Sequence, residues 1–158
     1  MKRKLSVSAK VGAEIRKILQ EKYPTVKFIV KSRTFSIGLV IRIEVNEVRV
    51  SWLDGPKKDD VEKLIYKYKY GHFDGMTDSY VVDAYREDID QVKYLIVYRG
   101  ISDKAFKEIS EKLGILYGVD FKNDKEVRAK TGHYPLTLIL REFEDMDYTK
   151  EVVYENNK

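Results

Sequence analysis

The stretch VSWLDGPKKDDVEKLIYKYKYGHFDGMTD, residues 50–78, decides how this chain folds. It begins with Val50-Ser51-Trp52-Leu53-Asp54-Gly55-Pro56 and closes with Phe73-Asp74-Gly75-Met76-Thr77-Asp78, so an Asp-Gly pair stands at each end. Asp-Gly is turn chemistry: glycine supplies positive φ, and the carboxylate accepts backbone N–H groups. Pro56 suits a first helical position, where a missing N–H costs nothing. Asp59 and Asp60 then fall in the first turn, where the helix dipole favours negative charge. Val61, Leu64, Ile65 and Tyr68 form one apolar stripe, and Gly71 is the expected stop. The stretch therefore reads as strand, helix, loop.

Outward from it, Val11, Ile15, Ile18 and Leu19 place an amphipathic helix over 8–23, with Ser8 as N-cap and Tyr23-Pro24 as its end. Val26, Phe28 and Val30 alternate with lysines, as in a half-buried strand. In 39–52, Ile41, Ile43 and Val45 are apolar at odd positions, but Val48, Val50 and Trp52 at even ones. That change of phase predicts a two-residue hairpin turning at Asn46-Glu47, or failing that a bulge. Tyr80–Tyr85 is a further strand. Val92–Tyr98 is apolar on both faces, which predicts a central strand. A third helix begins at Ser102, with Phe106, Ile109 and Leu113 on its buried side and Gly114 at its end. Residues 118–134 read as a charged connection, and Leu136, Leu138 and Leu140 as a last strand. The expectation is an α+β protein: a mainly antiparallel sheet with two to three helices packed on it, in a single domain over 1–141, then an acidic tail over 142–158.

The composition bounds the chemistry. At 158 residues and 43% apolar content the chain can bury a core of its own. With no cysteine, disulfides, thiolate nucleophiles and Cys-ligated zinc are excluded. No apolar run reaches the roughly 20 residues of a membrane helix, and no apolar segment follows the basic start as in a secretory signal. A cytoplasmic location is expected, without membrane association. Residues 1–35 hold ten bases against Glu14 and Glu21, although the whole chain is only +4. The remainder is therefore net acidic, with Glu142, Glu144, Asp145, Asp147, Glu151 and Glu155 near the end.

Several groups are candidates for chemistry. His72, Asp74 and Asp78 have the donor types of a divalent-ion site, and Asp54 sits where a strand-end general base would stand. Each also reads as turn chemistry, with Phe73 and Met76 plugging the core and Asp54 capping the helix after it. Lys31-Ser32-Arg33-Thr34-Phe35-Ser36 reads as a polar loop able to contact an anion. Tyr66, Lys67 and Tyr70 offer the aromatic and basic mixture used by protein and nucleic-acid interfaces. With Lys10, Arg16, Lys17, Lys31 and Arg33 they are the candidate partner-binding residues. Only His72 and His133 supply imidazole, and no triad or phosphate loop is present. No catalytic residue, metal or cofactor is expected.

The pattern KF-x-V, S-x-W-x-DGP, a helix, then FDGM-x-D-x-Y resembles a domain family of large polyvalent proteins, found in phages, plasmids and conjugative elements. Lys27, Phe28, Val30, Ser51, Trp52, Asp54, Gly55, Pro56, Phe73, Asp74, Gly75, Met76, Asp78 and Tyr80 carry it. Lys93-Tyr94 and Arg99-Gly100-Ile101-Ser102 resemble the family's final strand and helix start. The likeness spans about residues 15–115; the segment before Trp52 is longer than the family's. It implies a mobile-element origin and supplies no catalytic residues. Small proteins of such elements often counter host defences. The expectation is a non-enzymatic inhibitor in the bacterial host cell, binding a host defence protein or ribonucleoprotein such as a CRISPR or restriction effector. The alternative is a basic nucleic-acid-binding accessory domain, and a metal-dependent enzyme at Asp54, Asp74 and Asp78 is the third reading.

Overall fold

A computed structural model describes residues 5–149. The protein is α+β. Its elements are α1 (Val7–Lys22), β1 (Ile29–Ile37), β2 (Ile43–Leu53), α2 (Lys58–Ile65) with a 3-10 turn (Tyr66–Tyr68), β3 (Gly71–Asp74), β4 (Ser79–Val82), β5 (Tyr94–Gly100), α3 (Asp103–Tyr117), α4 (Asp124–Thr131) and α5 (Pro135–Asp145). One sheet has the order β1-β2-β5, and β3 pairs antiparallel with β4. Two compact units are distinct: the chain through Trp52 with Lys58–Tyr98, and Leu53–Lys57 with the chain from Arg99 onward.

In the first unit, α1 packs against β1. Val11, Ile15 and Leu19 from α1, Val30, Val48, Val50 and Trp52 from the sheet, and Val61 and Ile65 from α2 are all buried in one core. Leu95 and Val97 of β5 pack on it from the sheet, and Phe28 sets its ring 5.3 Å from that of Trp52. Ser6, not Ser8, caps α1 by accepting the N–H of Ala9. Ser8 is buried instead and exchanges a 2.7 Å hydrogen bond with Thr34 on β1.

The hairpin expected at Asn46-Glu47 does not exist. β1 and β2 pair antiparallel without interruption from Ile29↔Ser51 to Ile37↔Ile43, so there is no bulge either. The phase change has another cause: both faces of β2 bury something. Val48, Val50 and Trp52 face α1 and α2, while Val45 and Glu47 are buried on the opposite face. The real turn lies before Ile43, where Leu39, Val40 and Ile41 are exposed. Gly38 there has φ +109, and a Cβ on it would stand 2.1 Å from the Ile41 carbonyl oxygen, so the turn requires glycine.

Other expectations are corrected likewise. Residues 31–36 are strand, not loop; β1 is an edge strand with little buried, so it lacks the apolar alternation that marks a strand. β5 is also at an edge, and β2 is central. Gly71 opens β3 rather than ending a helix, since α2 tightens into its 3-10 turn after Ile65.

The second unit is helical. Ala105, Ile109, Leu113, Phe121, Val127, Leu138, Ile139, Phe143 and Tyr148 form its core. Ser102 caps α3 as expected, but the helix runs past Gly114 to Tyr117, with Gly118 in the left-handed region. The charged connection contains α4. The last strand is α5: Leu136, Leu138 and Leu140 alternate, but the buried set is Leu138, Ile139 and Phe143, at helical spacing. Pro135 at the helix start agrees with this. The boundary drawn at 141 therefore cuts a helix, and Phe143 and Tyr148 belong to the core; Glu151 and Glu155 lie outside the described residues.

Candidate functional site

The first Asp-Gly motif is part of a backbone lock inside the second unit. Asp54 and Gly55 both have left-handed backbone, φ +51 and φ +57. This turn aims the Asp54 and Gly55 carbonyls at the Arg99 guanidinium, whose Nε donates to Asp54 O at 2.8 Å and Nη2 to Gly55 O at 3.1 Å. Arg99 also donates to the carbonyls of Phe143 (3.0 Å) and Met146 (2.8 Å) at the end of α5, where the helix dipole favours a cation. Its guanidinium lies 4.0 Å from the Phe143 ring centroid. Burial pushes the Arg99 pKa down, against the opposing fields of Asp147 and Asp54; arginine nonetheless stays charged. The Asp54 carboxylate accepts the Ser102 N–H at 2.9 Å. It therefore fixes the entry to α3 rather than capping the helix that follows it in sequence. Tyr148 N–H closes the lock on Gly55 O.

The second motif is the β3–β4 turn. Asp74 accepts from the Met76 N–H and the Thr77 hydroxyl, each at 2.9 Å. These bonds, the Met76 N–H foremost, hold its carboxyl below the usual range. Asp78 supplies a further positive φ, +49. Phe73 and Met76 do not plug the core; both are exposed, because the hairpin tip projects away from it. His72 turns to Asp83, with Nδ1 2.8 Å from Oδ2. Among the described residues no group of three or more His, Asp or Glu is placed to hold a metal ion.

The Asp74 turn carries a pH prediction. A folded pKa below the ordinary carboxylate value of 3.8 means its stabilisation is complete above that value and is lost as pH falls through the folded pKa. Acidification will release the Met76 amide, seen as its chemical-shift change, and Asp74→Asn will remove that dependence.

The candidate partner-binding residues do not converge on one surface. Lys10 pairs with Asp90 at 3.2 Å, and Arg16 donates to Val30 O on the outer edge of β1. Lys17 stays on the exposed side of α1. Tyr66 is exposed beyond α2, Lys67 lies over the Tyr68 ring, and Tyr70 packs edge-on against Tyr80. Lys31 and Arg33 project from the face of the sheet opposite α1, as strand alternation with Val30 requires. There Glu47, with a side chain only 7% exposed, accepts from Arg49 Nε at 2.7 Å and pairs with Arg33 at 3.5 Å. Arg33 also covers the Phe35 ring, and Tyr98 on β5 is 66% exposed.

Three residues carry no local signal for their roles: Glu47 stands in a stretch that reads as a turn, Arg99 in a motif that names no partner, and Gln91 in no motif. Gln91 is buried, donates to Lys67 O and Ala84 O and accepts from Arg86 N–H, tying three segments together. The positive-φ demand of Asp54-Gly55 was visible, but its partner 45 residues on was not.

The family profile of large polyvalent protein associated domain 29 matches residues 7–105. The chain belongs to this family, and is accordingly a protein associated with phages and mobile elements. No curated protein and no solved structure matches it. No helix among the described residues is long and apolar enough to cross a membrane.

Proposed function

We propose that this protein is a non-enzymatic counter-defence factor of a phage or plasmid, acting inside the bacterial host by stoichiometric binding to a defence protein or ribonucleoprotein such as a CRISPR or restriction effector. Its family supports the mobile-element setting. The observation that carries the non-catalytic reading is that both motif carboxylates are engaged in holding backbone, Asp54 on Ser102 and Asp74 on Met76. Groups so fixed shape turns and loops.

Titration of the purified chain into nuclease reactions of purified CRISPR and restriction effectors tests this. Inhibition should saturate near one chain per effector and be unchanged by Asp74→Ala. Inactivation that proceeds with time at far lower ratios would show turnover and overturn the reading. So would an absence of binding and inhibition across these effectors.

A further inference from the structure

We propose that the open face of the β1-β2-β5 sheet binds single-stranded nucleic acid, with Lys31, Arg33 and Arg49 on phosphates and Tyr98 under a base. This goes beyond the function proposed above and stands without it.

Strand alternation divides the sheet cleanly. Val30, Val48, Val50 and Trp52, with Leu95 and Val97, are taken up by the core under α1 and α2. On the opposite face Val45 and Glu47 are buried, but the side chains of Arg33 and Arg49 are 60% and 55% accessible, and Lys31 is exposed beside them. Glu47 neutralises one of these charges but leaves the face positive. It also orders it, since one carboxylate holds two guanidinium groups in place. Each guanidinium has five N–H donors, so both retain donors for phosphate oxygens after serving Glu47.

Charge selects an anion, and an exposed ring selects its kind. Arg33 lies 4.8 Å from the centroid of the Phe35 ring and covers it on β1, whereas Tyr98 offers an exposed ring on β5. Cations tracking a backbone beside rings that accept base faces are the two elements of single-strand recognition. A second copy of the chain would set these arginines against each other, so charge disfavours self-association. Duplex is disfavoured because the face is a sheet surface rather than a helix or ribbon that enters a groove. The aliphatic tip at Leu39, Val40 and Ile41 offers neither charge nor ring and takes no part.

The test is fluorescence anisotropy with labelled oligothymidylate and oligouridylate of about 20 nucleotides, beside a duplex of equal length. Single strands should bind more tightly than duplex. Affinity should fall with salt at a logarithmic slope near −2, as about three phosphate contacts to a single strand give. Lys31→Glu should weaken binding and make the slope shallower, and Tyr98→Ala should weaken binding by about 5- to 150-fold, whereas Tyr98→Phe should retain it. These positions are exposed, so the variants should fold, as checked by circular dichroism; Arg33→Glu with Arg49→Glu gives the largest loss but also unpairs Glu47. Lys17→Glu on α1 should change little. The proposal is overturned if neither oligonucleotide binds at low salt, if duplex binds better, or if α1 variants abolish binding and sheet variants do not. It also fails if the sheet variants lose inhibition of an effector protein while no oligonucleotide binds, which would make the face a protein-docking surface and leave the counter-defence reading intact.

Discussion

Arg99→Ala should destabilise the second unit by about 2–4 kcal/mol, the scale of losing a half-buried set of charged hydrogen bonds to backbone carbonyls. The wild-type guanidinium satisfies the carbonyls of Asp54, Gly55, Phe143 and Met146 at once. Alanine removes these charged hydrogen bonds, each worth about 1.5–3 kcal/mol in isolation, and exposes a gap that water fills only in part. It also removes the contact with the Phe143 ring. Arg99→Lys should recover little, because an ammonium cannot span four acceptors held in fork geometry. Urea unfolding followed by circular dichroism, with hydrogen exchange of the α3 and α5 amides, measures both. A loss under about 1 kcal/mol for Arg99→Ala would mean that water replaces the lock, and the structural account of the DGP motif would fall.

Trp52→Ala should cost about 3–5 kcal/mol, the usual range for removing a large buried aromatic. Trp52 is 3% exposed, packs on Phe28, and shares its sheet face with Val48 and Val50. The contrast lies on the same strand pair. Ile41→Ser should change stability by less than about 0.5 kcal/mol, since Ile41 is 77% exposed at the turn. Under the hairpin reading, residues 41 and 52 would face each other across one core, and substitutions at either would be costly. Thermal melts of the two variants therefore separate the observed register from the alternative.

Elements whose burial has a single period were legible. α1 and α3 each bury one stripe, and the cap at Ser102 is local chemistry, so sequence spacing suffices. β2 was not legible as a single strand because its two faces bury different things, an apolar core on one side and a carboxylate held by arginines on the other. Period-2 counting cannot register a buried Glu47, as charge reads as exposure until its partners are known. α5 was misread because leucines at alternate positions mimic a strand, while Ile139 and Phe143, which complete the helical stripe, lie off that alternation. The Asp-Gly motifs were recognisable as turns from their own residues. What the Asp54 turn serves was not, because Arg99 and Ser102 reach it only through the tertiary fold.

Five residues, Leu53–Lys57, belong to the second unit while the chain on both sides of them belongs to the first. That small loan makes the second unit indivisible from what precedes it in the gene. A fragment starting at residue 99 would keep every helix of that unit yet lack the Asp54 and Gly55 carbonyls, and with them half of the acceptors of Arg99. Recombination between mobile elements can therefore pass this unit on intact only by carrying the DGP segment with it, or by a circular permutation that rejoins the two pieces.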